Sequence, residues 1–103
     1  RKQAASLTPW VVEQRRHLHM HPELSFEEAQ TAAFVQQHLR DLGIAFTPDV
    51  AGHGVVGMIY GKNPDKKVVA LRADMDALPI IESNEVPYKS TKPGIMHACG
   101  HDA

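Results

Sequence analysis

The alternation of apolar and polar residues in the first half of the chain predicts two helices. For the first helix, Thr8 followed by Pro9 indicates the start, because Thr caps helices and the fixed φ of Pro suits a first turn. This helix should run to about Met20, because Pro22 cannot continue it. At helical spacing, the residues near one face are Trp10, Val11, Gln14 and Leu18.

The second helix has the clearer sequence signals. Ser25 and Glu28 form a capping box, in which each side chain bonds the other residue's backbone N–H, and Gly43 suits a C-terminal cap. We therefore expect a helix that begins near Ser25 and ends near Gly43. Its apolar face comprises Ala29, Ala32, Ala33, Val35, Leu39 and Leu42.

Three segments after the helices have the composition of strands. They are 44–46, which Pro48 turns, 55–60 and 67–73, and the last is apolar enough to be buried on both faces. The intervening residues 61–65 have the composition of a turn. We therefore expect the second and third strands to form an antiparallel hairpin.

The region between Asp74 and His97 has no regular pattern and contains three prolines. A loop of this length in a compact domain is usually functional or disordered. At its start, Asp74 and Asp76 follow the apolar strand, where open α/β sheets place their ligand sites. Strand periodicity would point both carboxylates into one cleft. The other interpretation is that one caps the next turn and the other meets solvent.

Composition and charge exclude several classes of protein. A net charge of −1 leaves no basic face for nucleic acid. No apolar run approaches the roughly 20 residues of a membrane helix, and the first residues lack a signal-peptide core. The single cysteine, Cys99, fits a reducing compartment, so we expect a cytoplasmic protein. Because the chain begins at Arg1 and ends just after a segment of candidate metal ligands, we expect it to be a piece of a longer protein.

That segment, Cys99-Gly100-His101-Asp102, is the strongest indication of a metal site in the sequence. A thiolate and an imidazole separated by one Gly can bend onto a single ion, and both are preferred ligands of Zn²⁺. Asp102 could accept a hydrogen bond from the imidazole and orient it. Two ligands do not complete a site, because catalytic zinc needs three protein ligands and a water.

Histidine is also frequent near the end of the first helix, at His17, His19 and His21. His17 and His21 are four residues apart and would share a helix face, as metal-binding pairs do. The His-Glu-x-x-His pattern of zinc proteases is absent, however, and His21 lies where the helix dipole favours a cationic histidine. We therefore interpret the three histidines as structural.

Three strings occur in an order that resembles one family: RRHLHMHPELSFEE at 15–28, LRADMDALPI at 71–80 and GIMHACGHD at 94–102. Together they resemble the metal-dependent amidohydrolases that cleave N-acyl amino acids, such as hippurate hydrolases and indole-acetyl-amino-acid hydrolases. The resemblance implies an α/β fold, with two helices followed by strands of a mixed sheet. Residues 1–103 would be the N-terminal portion of a two-metal, peptidase-like catalytic domain, without its remainder and the lid or dimerisation domain.

By motif match, the resemblance implies that Cys99 and His101 are metal ligands and that Asp76 is a catalytic residue, which supports the site from behind a ligand. A His usually stands where Asp74 stands here, so Asp74 is assigned no role. The remaining ligands and the Glu that serves as general base would lie beyond Ala103. The cofactor would be two divalent ions, Zn²⁺ or Mn²⁺, and the thiolate alone favours Zn²⁺.

The resemblance thus predicts that the whole protein hydrolyses the amide bond of a small-molecule N-acyl amino acid with a metal-activated water. It predicts no activity for the 103-residue chain alone and no nucleic-acid or membrane partner, and it leaves a homo-oligomer open. One alternative is a self-standing metal-binding or interaction module without catalytic activity. Another is a hydrolase in which His101 is the base for a nucleophilic Cys99, although nucleophile and base usually come from separate elements.

Overall fold

The structure, a computed structural model, describes residues 1–102. Helix α1 (Lys2–Met20) is followed by α2 (Ala29–Asp41), strands β1 (Ala45–Val50) and β2 (Gly54–Met58), and a single 3-10 turn (Gly100–Asp102). Two helices followed by an antiparallel strand pair agree with the expected α/β class. Within residues 1–102, no helix is both long and apolar enough to cross a membrane.

Helix α1 begins six residues before the predicted start at Thr8, and Pro9 lies inside it. The extension has a local reason, because the sequence KQAAS at 2–6 is mostly good helix formers, whereas Pro9 removes only one backbone hydrogen bond. The Thr8 hydroxyl contacts the Ala4 carbonyl oxygen at 3.4 Å instead of capping a helix. The end of α1 at Met20, just before Pro22, is as predicted.

Helix α2 begins at Ala29, and the capping box predicted at Ser25 and Glu28 does not form. Phe26 has a positive φ of 65°, so the backbone there is not helical. The Ser25 hydroxyl is bonded to Asp76, far along the chain, and cannot cap the helix. At the other end, Gly43 has a φ of 69° and terminates α2 as predicted.

The hairpin joins β1 to β2, so the prediction that segments 55–60 and 67–73 pair was wrong. Ala45 opposes Met58 and Val50 opposes Gly54, and a register shift lies between Thr47 and Val50. Pro48 therefore lies inside β1 rather than ending it, at an irregularity where its missing N–H breaks no regular ladder. The short connection at 51–53 favours this local pairing.

Residues 67–73 form no strand, in contrast to the prediction of a buried one. Val68, Val69 and Leu71 are 82%, 84% and 98% exposed. A strand buried on both faces needs neighbouring strands and helices to cover it. No strand within residues 1–102 lies beside this segment, which leaves its apolar side chains in solvent.

The core joins the end of α1 and the start of α2 to the segment that follows Asp76. The Ala77 N–H donates to the Glu23 carbonyl oxygen at 2.7 Å, and the Thr91 N–H donates to the Met20 carbonyl oxygen at 3.0 Å. These two bonds hold the long loop against the helices. The buried residues that share this core are Pro22, Ala32, Ala77, His19, Glu23, Thr31 and Glu82.

Candidate metal centre

Cys99 and His101 lie close together at the 3-10 turn. The distance from Cys99 Sγ to His101 Nδ1 is 3.7 Å, and Gly100 between them has no side chain to interfere. Two ligands on one tetrahedral zinc, with Zn–S near 2.3 Å and Zn–N near 2.0–2.1 Å, have their donor atoms about 3.6 Å apart. The observed separation therefore fits a shared ion, and neither side chain has to move far to bind it.

The described residues do not supply a complete metal site. Across residues 1–102, no group of three or more His, Cys, Asp or Glu side chains is arranged to hold an ion. Cys99 is half-buried and His101 is exposed, so both are open to further ligands. Within residues 1–102, the Cys99–His101 pair is therefore at most part of a centre.

Asp74 and Asp76 have different partners and do not form a joint carboxylate pair. Asp74 forms an exposed ion pair with Arg72, with 2.8 Å between Oδ1 and Nη2. Asp76 instead accepts a hydrogen bond from the Ser25 hydroxyl. Its charge also acts on the His97 imidazole, which ties Asp76 to the segment that carries Cys99.

Asp102 lies beside His97, whereas the sequence suggested that it would orient the His101 imidazole. Asp102 Oδ2 is 3.7 Å from His97 Nδ1, and the imidazole is largely buried. Both Asp102 Oδ2 and His97 Nε2 are buried without a hydrogen-bond partner in the described structure. Burial lowers the pKa of His97, although the negative charge of Asp102 opposes this. His97 therefore favours the neutral imidazole.

His97 had no predicted role, even though it lies in the same string as both candidate ligands. No recognised motif spacing links it to its neighbours, because Asp102 lies five residues later and Asp76 approaches it from the start of the long loop. Only its position, two residues before Cys99, could have drawn attention to it.

His19 supports the loop and agrees with the structural interpretation. Its Nε2 lies 2.8 Å from Glu82 Oε1, and the backbone N–H of Ser90 donates to Glu82 Oε2 at 2.6 Å. Burial alone would raise the pKa of Glu82, but the hydrogen bonds from Ser90, His19 and Asn84 more than offset it and lower the pKa. An ionised Glu82 thus fastens residues 82–90 to α1.

Comparison with known proteins connects this arrangement to one family. Residues 70–103 match the family model described as peptidase family M20/M25/M40. The chain is 50% identical over 92 residues to an N-acyl-L-amino acid amidohydrolase of Geobacillus stearothermophilus, covering 89% of this chain and 25% of that protein. It is 49% identical over 88 residues to a hippurate hydrolase of Campylobacter jejuni, covering 85% of this chain and 23% of that one.

A solved structure extends the likeness to the fold. The crystal structure of the Bacillus subtilis YXEP protein, described as a dinuclear metal-binding peptidase from the M20 family, matches with a TM-score of 0.86 and 40% identity. The match covers 95% of this chain and 28% of that structure. The chain spans about a quarter of the length of the curated relatives it matches. The resemblance drawn from the three strings is confirmed: residues 70–103 match this family's model, and the matching structure is described as a member of the M20 family.

Proposed function

We propose that the protein carrying this chain is a metal-dependent hydrolase that cleaves the amide bond of N-acyl amino acids. The observation that carries the proposal is the 3.7 Å approach of Cys99 Sγ and His101 Nδ1, which lies within the segment that matches the family. Relatives named as N-acyl-L-amino acid amidohydrolase and hippurate hydrolase support the substrate class. Residues 1–103 are then the N-terminal portion of the catalytic domain.

In this proposal Cys99 and His101 are metal ligands. Cys99 binds as the thiolate, because a neutral thiol is a poor ligand, and His101 binds as the neutral imidazole, because an imidazolium has no free nitrogen lone pair. Bound divalent ions would supply a metal-activated water and polarise the amide carbonyl. The thiolate favours Zn²⁺ over Mn²⁺. Two ions are proposed in the whole protein, since a matching structure is described as dinuclear.

Asp76 is proposed to support the site by positioning rather than by binding an ion directly. Its carboxylate is restrained by the Ser25 hydroxyl, and its charge acts on the buried His97. A carboxylate fixed in this way can hold a neighbouring ligand in the orientation that binding needs. The general base and the remaining ligands are proposed to come from residues outside 1–103.

The binding partner and the cellular location of the protein are also part of the proposal. The names of the relatives support a small-molecule N-acyl amino acid as the partner, and the net charge of −1 in residues 1–103 offers no electrostatic attraction for nucleic acid. The single cysteine, which the proposal requires as a free thiolate, supports a cytoplasmic location. The oligomeric state, including a homo-oligomer, is left to measurement.

A thiol mechanism is the second candidate, because the contact between Cys99 and His101 also suits a thiol beside an imidazole base. The proposal is tested on the full-length protein with a panel of N-acetyl, N-benzoyl and indole-acetyl amino acids, by assaying release of the free amino acid. We expect turnover that chelation abolishes and that Zn²⁺ or Mn²⁺ restores. Absence of turnover across the panel would count against the substrate class. Activity that survives chelation but not iodoacetamide would favour the thiol mechanism.

A further inference from the structure

The structure separates the three histidines of α1 into two groups. His19 points into the core and contacts Glu82. His17 lies on another face of α1, and His21 follows directly after the helix as its C-cap residue; their ring centroids are 4.7 Å apart and their ring planes are inclined by 54°. The structural interpretation therefore accounts for His19 but leaves the other two imidazoles without a role in the fold's polar core.

We propose that His17 and His21 form a binding site for a late first-row divalent transition-metal ion, separate from the Cys99–His101 centre. An imidazole nitrogen lies about 2.0–2.1 Å from such an ion, which places each ring centroid roughly 3.2 Å from it. Two cis ligands then have centroids about 5 Å apart. The observed 4.7 Å matches this spacing without a change in the helix.

The packing around His17 favours the binding of a cation. The His17 ring stacks on Phe34 of α2, with centroids 4.4 Å apart and planes inclined by only 14°. This packing limits the rotamers of His17, so less conformational entropy is lost when an ion binds.

The site also has room for further ligands. A cavity of about 350 Å³ borders both imidazoles, and Gln30 and Thr31 contribute to its lining. None of the residues that line this cavity is Lys or Arg; a second cavity that borders both imidazoles is lined by one residue of each charge, Arg16 and Glu13. Water could therefore complete the coordination shell.

The donor set selects the class of ion. Within residues 1–102 no third His, Cys, Asp or Glu joins the pair, whereas zinc sites use at least three protein ligands. Ions that accept imidazole and water together and bind nitrogen most tightly, Ni²⁺ and Cu²⁺, suit two histidines better. We use Ni²⁺ as the probe, because Cu²⁺ would oxidise the thiol of Cys99.

The test is equilibrium dialysis of the full-length protein against Ni²⁺, with bound nickel counted for the wild type, His17→Gln, His21→Gln and His38→Gln. We expect each of the first two variants to bind one equivalent fewer than the wild type, and His38→Gln to bind the same number. His38 is the matched control because, like His17, it packs against Phe34. It lies on α2, however, and is not part of the proposed pair. Nickel at Cys99 and His101 is common to all four proteins and cancels in the comparison.

His21→Gln keeps the test decisive if His17→Gln loosens the packing on Phe34. His21 is exposed at the end of α1, so its replacement should leave the helix content by circular dichroism unchanged. An equal number of nickel equivalents in the wild type and a folded His21→Gln variant would overturn the proposal. An equal loss in His38→Gln would also overturn it. Neither result depends on whether the protein hydrolyses N-acyl amino acids.

Discussion

Replacing Glu23 with Gln tests how the start of α2 is held. The Glu23 carboxylate accepts hydrogen bonds from Thr31 N and Thr31 Oγ1, both at 2.6 Å, and from Gln30 N at 3.3 Å. Burial would raise its pKa, but these bonds outweigh burial and lower the pKa below its ordinary value of 4.5. The buried, ionised Glu23 therefore caps a helix whose own N-cap residue makes no side-chain hydrogen bond.

The size of the effect follows from the loss of charge. Hydrogen bonds to a charged group contribute about 1.5–3 kcal/mol, roughly twice the neutral value, and a buried amide would also turn its NH₂ towards other donors. We expect Glu23→Gln to lower the free energy of unfolding by about 2–3 kcal/mol at pH 7. With a urea m-value near 1–3 kcal/mol/M, the midpoint should fall by about 0.7–3 M.

The assay is urea unfolding of the chain followed by circular dichroism, with Glu27→Gln as the matched control. Glu27 lies four residues away and is exposed, so its replacement should change stability by less than about 0.5 kcal/mol. Because the folded-state pKa of Glu23 is lowered, its contribution is fully present above pH 4.5 and is lost as the pH falls through the folded value. The gap between the wild type and Glu23→Gln should therefore close in acid. Equal losses in the two variants, or a gap independent of pH, would refute this account.

Three further predictions concern other parts of the chain. Glu82→Gln should speed proteolysis within residues 82–90, because it weakens the bonds to His19 and Ser90; an unchanged cleavage rate would contradict the role given to Glu82. Leu71→Lys should change the unfolding free energy of the chain by less than about 0.5 kcal/mol, since Leu71 is 98% exposed; a larger loss in urea unfolding would mean that this segment is buried. The 103-residue chain should bind Zn²⁺ weakly in calorimetric titration and release no amino acid from N-acyl substrates, because residues 1–102 hold no third ligand beside Cys99 and His101. Tight binding together with turnover would show that the site is complete.

Local rules predicted the helix ends but not the helix starts. Met20 before Pro22 and the positive φ of Gly43 depend only on neighbouring residues, and both appear as expected. The start of α2 depends instead on Ser25, which bonds Asp76, and on Glu23, which caps the helix from outside. Sequence patterns that span a few neighbouring residues do not reveal such contacts.

The same contrast between local and long-range contacts applies to the strands and to the candidate metal centre. The apolar run at 67–73 correctly signals a need for burial, but strand pairing depends on partners distant in sequence, and none lies beside it in residues 1–102. Cys99 and His101 are only two residues apart, so the sequence alone could suggest them as ligands of one ion; their separation of 3.7 Å comes from the structure. His97 escaped notice because Asp76, 21 residues earlier, approaches it only after the long loop folds back.

The central claim is that Cys99 and His101 bind a catalytic metal, and metal content measured beside activity tests it most directly. In the full-length protein, Cys99→Ser and His101→Gln should each lose bound metal and amidase activity together, because neither a neutral hydroxyl nor an amide replaces the native ligand. His53→Gln, a histidine of the β1–β2 connection, serves as the control and should retain both. A Cys99→Ser protein that keeps its full metal content while losing activity would contradict the claim and identify Cys99 as a nucleophile.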